Sequence, residues 1–152
     1  MTPGKIRVKI VRERLLWIAD MVVHIRALPL DTPDAFLQTP HAPAAAESYL
    51  RRALEALFDL GRHILAKGFA RVAQEYKSVA DELYAVGILS PEERDLLRMM
   101  AGYRNRLTHF YSDVTPEELY RICTEHLDDI ERITNRLETW LREHPAYLDD
   151  AF

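Results

Sequence analysis

Cysteine is almost missing from this sequence. The single thiol, Cys123, has no partner, so an intrachain disulfide and a cysteine-based zinc site are both excluded. Glycine is scarce as well, with 5 in 152 residues. So few flexible punctuators favour long helices over a succession of short strands. No uninterrupted apolar run occurs near the start, where Lys5, Arg7, Lys9, Arg12, Glu13 and Arg14 interrupt the hydrophobic residues. Neither a signal peptide nor a transmembrane span is expected, and a cytoplasmic location is. An excess of positive charge is also lacking, because 20 Lys and Arg face 24 Asp and Glu. That argues against a broad basic face coating nucleic acid, yet it leaves room for a small cationic pocket handling one phosphate.

What is present reads as helix. The chain length suits one domain with a sizeable core, and 48% hydrophobic with 29% charged residues is ordinary for a globular protein. Residues 6–28 carry Val11, Leu15, Ile18, Val22 and Ile25 at helical spacing. A second apolar set there, Val8, Leu16, Ala19 and Val23, widens the surface and hints at a dimer. Thr32-Pro33-Asp34 caps a short turn, and residues 44–67 form a second long helix with a stop at Gly68. A shorter helix is expected over 71–87. Ser90-Pro91-Glu92-Glu93 reads as a capping box opening a fourth helix, and Thr115-Pro116-Glu117-Glu118 repeats the signal before one last long helix ended by Pro145. The expected fold is all-α, a single domain over 1–152. Four main long helices form an antiparallel up-and-down bundle with short extra helices. The ordered core spans about 6–143, and a frayed acidic tail over 145–152 holds Asp149 and Asp150.

One stretch carries chemistry. From Arg98 to Tyr111 the chain holds Arg98, Arg104, Arg106 and His109 and no acid, a cationic island in an acidic protein. On a helix Asn105 and His109 lie four apart on one face, and Arg104 flanks them about 100° round the axis. Met100, Tyr103 and Leu107 point elsewhere, into the core. A fixed cation, an amide and an imidazole on one polar corner suit phosphodiester cleavage in RNA. The imidazole exchanges protons near neutral pH, and the guanidinium matches phosphate oxygens and stabilises the charge that builds on them. With no carboxylate cluster nearby, no divalent metal is needed and no cofactor is implied. A purely structural role fits the same residues, with Arg104 in a surface ion pair and His109 capping a helix C-terminus. Spacing alone leaves both open.

The run Arg104-Asn105-Arg106-Leu107-Thr108-His109-Phe110-Tyr111 resembles the Arg-x4-His-x-Tyr motif of HepT-like HEPN toxins. A tyrosine-containing segment at Tyr76-Lys77, a small hydrophobic turn at Ala85 to Leu89 and an apolar lead-in at Met99 to Tyr103 also fit that family. The resemblance spans about residues 6–143. It implies the HEPN fold and a metal-independent endoribonuclease, the toxin of a type VII HEPN/MNT toxin–antitoxin system. Arg104 and His109 would be its catalytic pair, with Asn105 in support. It further implies a homodimer whose motif helices line a shared cleft. An MntA-like nucleotidyltransferase antitoxin would neutralise the toxin by transferring AMP onto Tyr111. Arg106 and Arg98 are expected to bind RNA phosphate.

Other residues read more plainly. His24, His63 and His126 suit packing or capping, His41 and His144 suit loops, and Cys123 suits a buried apolar face. Trp17 and Trp140 suit a core or a dimer interface. Arg51, Arg52, Arg62, Lys67 and Arg71 either extend an RNA path or form a solvated face balanced by Glu47, Glu55 and Asp59. Two other functional readings remain: a non-catalytic HEPN partner subunit of a nucleotidyltransferase, and a plain helical adaptor.

Overall fold

The structure, a computed structural model, describes residues 4–109 and 114–152, with His109 described through its backbone alone. Among these residues it is all-helical. The order is α1 (Val8–Arg26), α2 (Pro33–Gln38), α3 (Ala42–Phe69), α4 (Tyr76–Ala85), α5 (Pro91–His109), α6 (Pro116–Glu125) and α7 (Leu127–Glu143), then a 3-10 turn (Pro145–Tyr147). The long elements are α1, α3, α5 and α7, the four-helix core expected from the periodicity. No described helix is long and apolar enough to cross a membrane.

The start signals work as the sequence suggests. Ser90 and Glu93 close a reciprocal box: the Ser90 amide donates to Glu93 Oε1 at 2.8 Å, and the Glu93 amide donates to Ser90 Oγ at 3.1 Å. Thr32 and Thr115 accept from the amides three residues on. α1 is capped from afar. Its Val8 amide donates to Asp149 Oδ1 at 2.9 Å, and the preceding Arg7 amide donates to His63 Nε2 at 3.0 Å. A Cys123 thiol buried on α6 completes the expected apolar face.

Four boundaries differ from expectation, each for a local reason. Gly68 does not stop α3. It lies inside the helix, where an added Cβ would stand 2.8 Å from Ile6 Cδ1, so glycine serves close packing there. The stop is Ala70, in the left-handed region at φ 54°. The shorter helix starts at Tyr76 rather than 71, because Arg62 draws the Ala73 and Gln74 carbonyls into hydrogen bonds at 3.1 and 2.9 Å. The last helix is two. His126, at φ −119° and ψ 2°, breaks it, and Asp128 and Asp129 open α7 where a helix start favours acids. The tail is not frayed over 145–149: the Ile6 amide donates to the Tyr147 carbonyl, and the Asp149 amide donates back to Ile6 at 3.0 Å. Trp140 stacks on His144 with centroids 4.1 Å apart and packs near Phe69 and Tyr147, which holds the tail against the bundle.

The core joins α1, α3, α5, α6 and α7 through Ile25, Leu54, Leu57, Ile64, Leu107, Ile122 and Ile133. α4 approaches α3 at Gly61, where a Cβ would meet Val79 Cγ1 at 2.7 Å. That near contact lays the start of α4 beside the C-terminal half of α5, where Tyr76 meets Arg104.

Candidate active site

The site grows from three elements. α5 brings Arg104 and Asn105, α4 begins with Tyr76, and α3 contributes Glu55 and Arg62. The Arg104 guanidinium lies over the Tyr76 ring, 4.1 Å from its centroid. Arg62 lies over the same ring at 4.6 Å, and Phe58 meets its edge at 5.1 Å. Tyr76 is therefore fixed by packing before it fixes Arg104. Its ring faces cations, a favourable arrangement for an aromatic quadrupole. Arg104 Nη2 is also 3.7 Å from Glu55 Oε1.

The Arg104 side chain is only 13% exposed, and its Nε is buried without a hydrogen-bond partner. Thr108 Oγ1, one turn on, is buried and unpartnered too. Buried donors in that state cost about 1–3 kcal/mol each, which a fold tolerates where the group is needed for something else. Arg104 and Asn105 together open onto a cleft of about 460 Å³ that also takes in Gln74, Glu75, Tyr76 and Lys77.

The other expected site residues lie elsewhere. Arg98 pairs with Asp81 on α4 at 2.6 Å. Arg106 forms a bidentate pair with Glu118 on α6, both contacts 2.7 Å, which anchors the end of α5. Neither lines the cleft. The stretch without acids in sequence thus meets Asp81, Glu55 and Glu118 in space. Met100 and Leu107 are buried as expected, while Tyr103 is half-buried against His126. His109 ends α5, and nothing of its side chain is described; Tyr111 lies outside the described residues. Among the described residues, no three of His, Cys, Asp and Glu converge to hold a metal. The sequence offered Glu55 only as charge balancing a solvated face and Tyr76 only as part of a family-like segment, although the helical spacing from Glu55 to Arg51 and Asp59 is visible in it.

The matching family model is described as ribonuclease HepT-like and spans residues 18–137, most of the chain and all of the cleft. The chain belongs to the HepT-like family. A tRNA nuclease HepT of Aphanizomenon flos-aquae is 24% identical over 132 residues, 87% of this chain and 90% of that protein. A tri-AMPylated Shewanella oneidensis HEPN toxin, solved in complex with MNT antitoxin, superposes with a TM-score of 0.77. It is 21% identical and covers 86% of this chain and 97% of its own. YutE of Bacillus subtilis, a cytosolic protein of unknown function, gives 0.76 at 20% identity over 93% and 94% of the two chains. At these identities the solved structures establish the HEPN fold.

Proposed function

We propose that this chain is a metal-independent endoribonuclease toxin using Arg104 and His109. The observation carrying the reading is the Arg104 guanidinium, seated on Tyr76 and aimed with Asn105 into one cleft. In the proposed reaction His109 takes the proton from a ribose 2′-hydroxyl. The 2′-oxygen attacks the adjacent phosphorus, and the bond to the 5′-oxygen breaks. A 2′,3′-cyclic phosphate and a 5′-hydroxyl result, with the proton returned to the leaving oxygen. Arg104 stabilises the charge gathering on the phosphoryl oxygens, and Asn105 orients the imidazole or a phosphate oxygen. Family membership supports this reading, as does the nuclease activity in the name of the Aphanizomenon relative.

The proposal includes control by a partner. An MntA-like nucleotidyltransferase transfers AMP from ATP onto the Tyr111 hydroxyl, releasing pyrophosphate. The added phosphate and base sit two residues past His109, where they block RNA and compete for its cations. The AMPylated state of the Shewanella toxin supports this. A homodimer is part of the same reading. Leu16 and Val23, 71% and 63% exposed on α1, form an apolar stripe that a second copy would cover.

A second reading has support from one observation. Arg104 is largely buried and shares a carboxylate, as a structural cation would. In that case the chain is a non-catalytic HEPN subunit of a nucleotidyltransferase. Expression of wild type and His109→Ala separates the two. The nuclease reading predicts that unmodified wild type arrests growth and fragments cellular RNA while His109→Ala does neither. Intact RNA with unmodified wild type would favour the binding subunit. Mass spectrometry after co-expression with the nucleotidyltransferase should show AMP-sized additions on Tyr111.

A further inference from the structure

We propose that the cleft between α1 and α3 binds single-stranded RNA and leads it to Arg104. This rests on the ribonuclease reading and adds a substrate-binding site to it. The cleft, of about 620 Å³, is lined by Arg14 and Trp17 of α1 and by Arg51, Arg52, Glu55 and Asp59 of α3.

Its chemistry is that of a single-strand groove, guanidiniums for phosphates beside an aromatic face for a base. Arg14 and Arg52 make no ion pair among the described residues. Trp17 is 45% exposed, which contradicts a core role. Its stripe faces α3, since Met21 four residues on is buried and His24 packs on Tyr49 with centroids 5.1 Å apart. Trp17 is the open end of that stripe. It borders the Leu16–Val23 stripe, because Leu16 and Trp17 line one shallow hollow with Glu13 and Asp20, so the oligomeric state belongs in the test.

Glu55 joins this cleft to the catalytic one. Its Oε1 is 3.5 Å from Arg51 Nη1 and 3.7 Å from Arg104 Nη2, so the two guanidiniums flank one oxygen. A strand whose base rests on Trp17 and whose phosphates meet Arg14 and Arg52 is carried past Glu55 to Arg104. Asp59, two turns beyond Arg52 on the same side of α3, repels phosphate and marks the end of the cationic part of the cleft.

Intrinsic fluorescence tests this with the full chain and a short 2′-O-methylated oligouridylate, which cannot be cut by a 2′-hydroxyl mechanism. Trp140, only 6% exposed, is shielded, so quenching reports Trp17. Saturable quenching is expected. Trp17→Leu should abolish it and weaken binding, followed by anisotropy of a labelled oligonucleotide, roughly tenfold. Arg52→Ala should lower the slope of log affinity against log salt by about 1. Both side chains are exposed, so thermal melts should match wild type. Absence of quenching, or wild-type affinity in either variant, overturns the proposal. So does conversion of a dimer to a monomer by Trp17→Leu in sedimentation, which would assign the face to a second copy. Intact RNA with unmodified wild type would instead sink the ribonuclease reading and leave the quenching result standing.

Discussion

Arg104 and Tyr76 form a stacked pair, the guanidinium carbon 4.1 Å from the ring centroid, although the two residues lie on different helices. The stack sets where the cation points, so the ring should matter more than its hydroxyl. Tyr76→Phe keeps the stack and should cleave RNA within about threefold of wild type. Tyr76→Leu loses an attraction of about 1–2 kcal/mol and should lower kcat roughly 5- to 30-fold, with KM little changed. Steady-state kinetics on both variants, beside their melting temperatures, check this.

Glu55 holds the other side of Arg104. The carboxylate is partly exposed, so its worth to stability is small, under about 1 kcal/mol. Glu55→Gln is expected to melt within a few degrees of wild type while its kcat falls. Unchanged kcat with a large loss of melting temperature would make Glu55 a structural residue only.

Gly61 controls how closely α4 approaches. Alanine there gains about 1 kcal/mol in helix propensity, but its Cβ would stand 2.7 Å from a branched Val79 methyl. Gly61→Val gains less in propensity and adds two methyl groups, so overpacking of about 1–3 kcal/mol should lower the melting temperature and displace Tyr76. Thermal unfolding and the kcat of Gly61→Val should fall together.

Burial, followed by the nearby Lys67, Arg7 and Arg14 charges, pushes the His63 pKa below the usual imidazole value near 6.5. The neutral ring accepts the Arg7 amide hydrogen. The unfolded chain then binds a proton more readily than the folded one. This contribution to stability is full above about pH 6.5 and is lost as pH falls from there toward the lowered folded pKa. Urea unfolding at pH 7.5 and 5.5 should show a stability loss in wild type that is smaller in His63→Gln, whose amide oxygen accepts the same hydrogen.

Burial pushes the Cys123 thiol up to about 12. A disulfide reagent at pH 8 should therefore leave the native protein unreacted and label it at once in denaturant, as read by absorbance of the released thiolate.

The helical bundle was legible because Val11 to Ile25, Leu50 to Ile64 and Leu119 to Trp140 keep helical period over several turns, and Ser90 and Thr115 carry start signals. Arg104 and Asn105 were legible as a motif. Their surroundings were not. Tyr76 and Glu55 reach Arg104 from helices up to 49 positions away, Arg62 backs the Tyr76 ring, and no local pattern encodes that. Arg98 and Arg106 looked free because their acids lie at 81 and 118, beyond the run that was read. The break at His126 escaped notice because Ile122, His126 and Ile130 keep the register across it.

The central claim is that a fixed guanidinium and an imidazole on α5 cut RNA without metal. Single-turnover cleavage of total cellular RNA in excess EDTA tests it most directly, comparing wild type with Arg104→Ala, Arg104→Lys and His109→Ala. Wild type should cleave undiminished and leave 2′,3′-cyclic phosphate ends. Both alanine variants should lose at least about 100-fold, and lysine, which lacks the planar fork, should recover little. Full activity in Arg104→Ala, or complete loss of wild-type cleavage in EDTA, would contradict it.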